Sequence, residues 1–221
     1  MNILLTKKLP QDNIDLIRLW GWNFETVETL EITPIEVKEV PTGADAWILS
    51  SRNSLMTVKK FIKAAPGFIY CIGSWIQDEL TKSGVSALVK SFINMKSLAV
   101  DLGKQDFKKV IYFCGEEHRQ ELEDGLKNSS TEISKVITHQ SAMMFPEINK
   151  SYDVVFVFSP RSAESLLTHN TVSPETIFAC IGKTTSAYLH ERGMTNTFVA
   201  SQPDSKMLLT EYHSQILNIK S

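Results

Sequence analysis

The sequence is poor in nearly everything that would assign it a chemistry at sight. It has only three cysteines in 221 residues. Cys71, Cys114 and Cys180 are widely spaced, each inside or at the end of an apolar run. Such a set builds neither a disulfide framework nor a zinc site, and it fits three reduced thiols in a reducing compartment, with the cytoplasm as the first expectation. There is no basic excess: 23 Lys and Arg stand against 25 Asp and Glu, for a net charge of -2. That balance excludes a nucleic-acid surface, which needs a basic patch or stripe. No run approaches the roughly 18 apolar residues of a membrane helix. The opening Met1–Thr6 lacks the basic start and small-residue cleavage site of a secretory leader. No G-x-G-x-x-G or G-x-x-x-x-G-K-[ST] follows any expected strand, so a nucleotide-binding enzyme ranks low. His118, His169, His190 and His213 fall at no metal-ligand spacing, so surface positions and no metal are expected.

What the chain does contain is the same unit twice. Asp45 opens DAWILSSRNSL and Asp153 opens DVVFVFSPRSAESL. Farther on, Cys71-Ile72-Gly73 matches Cys180-Ile181-Gly182, and Gly84 matches Gly193. The Asp with its apolar run, the Ser-rich turn, the Cys-Ile-Gly and the later glycine make four matches in one order and point to an internal duplication. Each copy begins with a short, almost wholly apolar run (46–49 and 154–158), the signature of a parallel strand covered on both faces. A turn rich in Ser and Asn follows, suited to capping helices near 54–63 and 161–168. Second strands at 68–72 and 177–181 end at Gly73 and Gly182. Helices follow, with Ile76 and Leu80 on the buried stripe of one copy and Ser186 to Leu189 serving in the other. Gly84 and Gly193 sit where a helix C-cap favours glycine.

The other segments read the same way. Strands are expected near 3–6, 24–27, 110–113 and 197–200, and helices near 10–20, up to about 127, and 204–219. Residues 31–38 and 135–142 alternate polar and apolar and read as two extended connectors. The expected fold is α/β, with two similar flavodoxin-like or Rossmann-like lobes on parallel sheets, joined by a two-stranded connector. One lobe takes residues 1–34 and 143–221, the other 36–139.

In this order the residues resemble the uroporphyrinogen-III synthase family. The resemblance rests on Thr6-Lys7, on Gly21 followed by Leu30-Glu31-Ile32-Thr33-Pro34, and on Ser51-Arg52-Asn53-Ser54. It continues through Ile72-Gly73, Gly115-Glu116-Glu117-His118-Arg119, Ser159-Pro160-Arg161-Ser162, Ile181-Gly182-Lys183-Thr184-Thr185, and Val199-Ala200 with Pro203 and Leu208-Leu209. It spans nearly the whole chain. It implies a cofactor-free lyase that closes hydroxymethylbilane, a linear tetrapyrrole with eight carboxylates, to uroporphyrinogen III. The last pyrrole ring is inverted and water is lost. It also implies a monomer, with transient contact to the preceding pathway enzyme. A different class, a non-catalytic two-lobed sensor of a small anion, stays open beside it.

A chain of net charge -2 must grip eight carboxylates with something other than bulk basicity. In parallel α/β lobes the strand C-terminal ends carry helix N-termini, whose amides and partial positive charge suit anions. The expected substrate contacts are therefore Thr6, Lys7, Ser51, Asn53, Ser54, Gly73, Ser74, Gly115, Glu116, Arg119, Ser159, Arg161, Ser162, Gly182, Lys183 and Thr184, in a cleft between the lobes. Lys7, Arg52, Arg161 and Lys183 would add charge-assisted bonds. Thr185 and His139 are the candidate catalytic side chains. His139 falls where the resembled family tends to have a tyrosine. Either it acts as an acid or hydrogen-bond donor, or no single side chain is essential; the second reading is preferred.

Overall fold

A computed structural model describes residues 1–118 and 120–220. The chain forms two compact units, Met1–Glu31 with Ala142–Ser221, and Ile32–Ser141.

The first unit has β1 (Asn2–Leu5), α1 (Gln11–Leu19), β2 (Asn23–Thr26), and the start of β3 (Leu30–Pro34). The second unit continues through β4 (Ala46–Leu49), α2 (Arg52–Val58) with a 3-10 turn to Ala64, β5 (Phe68–Ile72), α3 (Ser74–Lys82), β6 (Leu88–Phe92), α4 (Met95–Leu102), β7 (Lys109–Gly115), α5 (Glu121–Leu126) and β8 (Glu132–Met143). The chain then re-enters the first unit with β9 (Val154–Val157), α6 (Pro160–Thr168), β10 (Ile177–Cys180), α7 (Lys183–His190), β11 (Thr197–Val199) and α8 (Ser205–Lys220).

The first unit's sheet is ordered β11-β10-β9-β1-β2, with every pairing parallel. Counted in chain order within the unit this is 2-1-3-4-5, the flavodoxin-like arrangement. The second sheet is ordered β3-β8-β7-β4-β5-β6. Setting β3 aside, it reads 3-2-1-4-5 in the unit's own order, the Rossmann-like arrangement. The two layouts superpose strand for strand: β11-β10-β9-β1-β2 against β6-β5-β4-β7-β8. The difference lies only in where the chain is cut. The first unit is a circular permutation of the second, which explains why the duplication reads clearly across β4–α3 and β9–α7 and fades elsewhere.

The aspartates that open the repeats perform one task in both copies. The Asp45 N–H donates to the Lys109 carbonyl, and its Oδ2 accepts the N–H groups of Lys108 (2.7 Å) and Lys109 (2.9 Å) at the foot of β7. The Asp153 N–H donates to the Asn2 carbonyl, and its Oδ2 accepts the Asn2 N–H at the foot of β1. Each carboxylate pins the start of the neighbouring strand in its register.

Both sheets are covered on both faces, as their unbroken apolar strands require. In the first unit Ile3, Leu5, Phe156, Ile17, Leu208 and Tyr212 fill one side, and Leu4, Val155, Phe178, Leu166 and Leu189 the other. In the second unit Ile48, Tyr70, Leu98 and Leu122 lie on one side of the sheet, and Trp47, Leu55, Ile76, Leu80 and Phe113 on the other. No described helix is long and apolar enough to cross a membrane.

Two details differ from the sequence expectation. The strand β6 and helix α4 occupy a stretch with no expected element. The 135–142 connector is also not free-standing: β8 pairs in parallel with β7 from Glu132 to His139. Its other edge receives β3, with the Ile35 N–H on the Thr138 carbonyl and the Met144 N–H on the Thr29 carbonyl. Numbers that fall on one strand as they rise on the other mark that pair as antiparallel.

Candidate functional site

The expected site residues gather at the strand C-terminal ends of their own units, but they divide by what their polar groups already do. Ser51 and Ser159 are helix N-caps. Their side chains accept the Ser54 N–H (3.1 Å) and the Ser162 N–H (3.0 Å), and each caps with extended backbone. Asn53 and Arg161 are both half-buried on the first turns of those helices.

Behind the caps lies a buried hydroxyl cluster, again in both copies. In the first unit the Thr6 hydroxyl donates to the Phe156 carbonyl and accepts from Ser162. Thr29 pairs with Ser162 in a short hydroxyl contact and donates to the Thr6 carbonyl. In the second unit Thr138 reaches Ser54 Oγ (3.3 Å) and the Cys114 carbonyl (3.0 Å). Thr6, Ser54 and Thr138 are 0% exposed. Their hydroxyls hold strand ends to helix starts and face away from solvent, unlike the substrate contacts expected of Thr6, Ser54 and Ser162. Thr185 is likewise buried, at 1% exposure, while Thr184 beside it is exposed.

The glycine-initiated helices are different. α3 begins after Gly73 and α7 after Gly182, and neither has a side-chain cap. Gly73 takes φ +87, a conformation that favours glycine. The first amides of a helix have no acceptor one turn back, and at α7 the Thr185 N–H turns to the Gly182 carbonyl at 3.1 Å. Ser74 and Lys183 are exposed there. Each unit therefore carries a helix start sealed by a serine, at Ser51 or Ser159, and a glycine-preceded start without a side-chain cap, after Gly73 or Gly182.

Cationic side chains flank these ends. The Lys7 Nζ sits 4.4 Å above the Phe158 ring. The Arg52 guanidinium stacks 4.0 Å from the Trp75 ring, which places it between the first turns of α2 and α3. Asn94, absent from the expected set, caps α4 at the end of β6 through the Ser97 N–H. An Asn before an apolar-periodic run is a cap signal, and the segment Asn94-Met95-Lys96-Ser97-Leu98 carries it.

At the end of β7, Gly115 meets His139 of β8. The Glu116 N–H donates to the His139 carbonyl, so that amide is spent, and the exposed Glu116 carboxylate would repel an anionic substrate. The His139 Nδ1 lies 2.9 Å from Thr138 Oγ1, and burial holds its imidazole below its ordinary pKa. His118, expected at the surface, is tied inward. Its ring nitrogens lie 3.1 Å from the Gly115 carbonyl and 3.1 Å from Glu123 Oε1. Burial pushes the Glu123 carboxyl up, but Lys135 at 2.6 Å and the His118 ring outweigh it, and the net shift is downward. Burial raises the Cys114 thiol to about 11, which removes it as a nucleophile near neutral pH. Arg119 lies outside the described residues.

Chemically, these ends suit a ligand with several carboxylates. A family model described as "Uroporphyrinogen-III synthase HemD" matches residues 16–210. No curated protein matches the chain. Among solved structures, the uroporphyrinogen-III synthetase of Helicobacter pylori 26695 is 16% identical, with a TM-score of 0.66 over 97% of this chain and 99% of that one. A mutant uroporphyrinogen III synthase of Thermus thermophilus is 12% identical, with a TM-score of 0.62 over 99% of each chain. At those identities the structural likeness speaks for the fold.

Proposed function

The chain belongs to the uroporphyrinogen-III synthase family, and on that premise we propose that it acts as a cofactor-free lyase closing hydroxymethylbilane to uroporphyrinogen III with loss of water. The family places the activity in tetrapyrrole biosynthesis. The observation that supports the finer reading is the pair of helix starts without a side-chain cap, after Gly73 and Gly182. A polycarboxylate needs several anion-accepting points, and a net charge of -2 leaves oriented amides as the fitting source.

The chemistry asked of the protein is largely conformational. The same linear tetrapyrrole closes without help to the uninverted isomer, so the enzyme must hold the chain in the geometry that inverts the last ring. Backbone amides on rigid helices suit that task better than long flexible side chains, because little freedom is lost on binding. Lys7, Arg52 and Lys183 then add charge at the same ends. Asn53, Ser74, Arg161 and Thr184 remain as polar contacts. Ser51, Ser54, Thr6, Ser159, Ser162 and Thr185 serve this reading as the scaffold beneath. The reading also takes the protein as a cytoplasmic monomer in transient contact with the enzyme that makes its unstable substrate.

Freshly prepared hydroxymethylbilane, incubated with the protein and followed by oxidation and isomer separation, tests the proposal. The type III isomer should exceed the no-enzyme control.

A further inference from the structure

The second unit carries one polar group that its duplicate lacks. Thr29 and Thr138 occupy the same place in the two copies, each six residues beyond the first paired residue of its strand, Asn23 and Glu132. Each donates its hydroxyl proton to the carbonyl of the neighbouring strand end, Thr29 to Thr6 (2.8 Å) and Thr138 to Cys114 (3.0 Å). The next residue is Leu30 in one copy and His139 in the other. The threonine belongs to the duplicated scaffold, and the histidine is an addition to it.

That scaffold dictates which way His139 hydrogen-bonds. A hydroxyl has one proton, and that of Thr138 is required by the Cys114 carbonyl or by Ser54 Oγ, both of which it reaches as donor. Toward His139 Nδ1, 2.9 Å away, Thr138 Oγ1 can then only accept. Nδ1 must carry the proton. In a neutral ring the lone pair is left on Nε2, and burial favours the neutral ring here. Among the described residues Nε2 has no hydrogen-bond partner, and the His139 residue is only half-buried. It lies over Gly115, which has no side chain of its own to meet it.

We infer that His139 is a hydrogen-bond acceptor at Nε2, set in that polarity by Thr138, and that it receives a pyrrole N–H of the linear tetrapyrrole. A bilane is acidic at its rim and presents only N–H donors along its spine, so one acceptor among many donors would fix the rotation of a ring rather than anchor a carboxylate. The role differs from both sequence alternatives for His139, an acid or hydrogen-bond donor and, the preferred one, no essential side chain. The substrate half of the inference rests on the lyase reading above; the tautomer half does not.

Two measurements keep these halves apart. Nitrogen-15 NMR of the full chain with labelled histidine, near pH 8, reads the tautomer of each ring, and the His139→Gln variant assigns the signal. A protonated Nδ1 and bare Nε2 are expected, with Thr138→Ser preserving the pattern and Thr138→Val moving the proton toward Nε2. A protonated Nε2 in the unaltered protein overturns the inference whatever the protein catalyses. Steady-state kinetics on hydroxymethylbilane supply the second measurement. His139→Gln keeps an acceptor near Nε2 and should hold KM within about twofold, whereas His139→Leu should raise KM about three- to tenfold, the value of one hydrogen bond. An unchanged KM in His139→Leu removes the pyrrole contact. Failure of the unaltered protein to form type III product strikes the lyase reading and leaves the tautomer result standing.

Discussion

The ring of His139 lies so close over Gly115 that a β-carbon at that glycine would sit 2.9 Å from Nε2 and 3.3 Å from the neighbouring ring carbons. Gly115 is therefore glycine because of a neighbour across the sheet, since its φ is not among the positive values. Gly115→Ala should cost about 1–3 kcal/mol of stability through overpacking. His139→Ala should relieve most of that cost in the double variant. Denaturant unfolding of the four proteins in the cycle checks it, and additive costs would show that the two residues are uncoupled.

Gly182 offers a sharper separation of stability from function. Its φ of -178 is extended backbone open to any residue, and a β-carbon there meets nothing within 4 Å. Gly182→Asp should cap α7 and raise the melting temperature slightly, since an acidic N-cap satisfies first-turn amides. The same carboxylate should repel and displace a substrate carboxylate, raising KM tenfold or more. A variant both more stable and kinetically unchanged would exclude this helix start from binding.

Asp45 gives the second unit an acid-sensitive staple. The N–H of Lys109, and then that of Lys108, hold its carboxyl below the ordinary value. Because the folded-state pKa is depressed, the staple's contribution is present above the unfolded-state pKa and is lost as pH falls through the folded value. Asp45→Asn should lower the melting temperature near neutral pH. The curves of the two proteins should converge in acid. Parallel curves down to low pH would show that the carboxylate charge contributes nothing.

Phe145 is the one described residue other than glycine with a positive φ, at +48. Its N–H is fixed on the buried Ser165 hydroxyl at 3.0 Å, just beyond β8. A bulky residue there carries roughly 1–2 kcal/mol of local strain. Phe145→Gly should recover part of it, offset by the lost edge contact with His169 and by the added freedom of glycine when unfolded. Thermal unfolding should show a change near zero or a small gain. A loss above about 2 kcal/mol would mean that the ring's packing, not its backbone, fixes this residue.

Much of this architecture was legible because duplicated parallel strands announce themselves as unbroken apolar runs ending in capping residues. β4 and β9 are buried at every position and begin within a residue of the repeat aspartates. β6 gave no such signal: it is a half-exposed edge strand, with Lys90 and Ser91 interrupting its apolar residues. Lys90 is accommodated by an ion pair to Asp101 of α4 at 3.1 Å, a contact that no local pattern encodes. The candidate residues were legible as members of turns, and what their side chains do was not. Ser51 and Ser74 look alike in sequence, yet one seals a helix start and the other stands exposed on an open one. His118 read as a surface residue, yet its ring is held between the Gly115 carbonyl at the end of β7 and Glu123 of α5.

The product isomer decides the matter. With fresh hydroxymethylbilane near neutral pH, short incubation, oxidation and chromatographic separation, the protein should shift the product from the spontaneous type I isomer to predominantly type III at catalytic, substoichiometric amounts. A type I to type III ratio equal to the no-enzyme control, from protein shown to be folded, would contradict the lyase assignment.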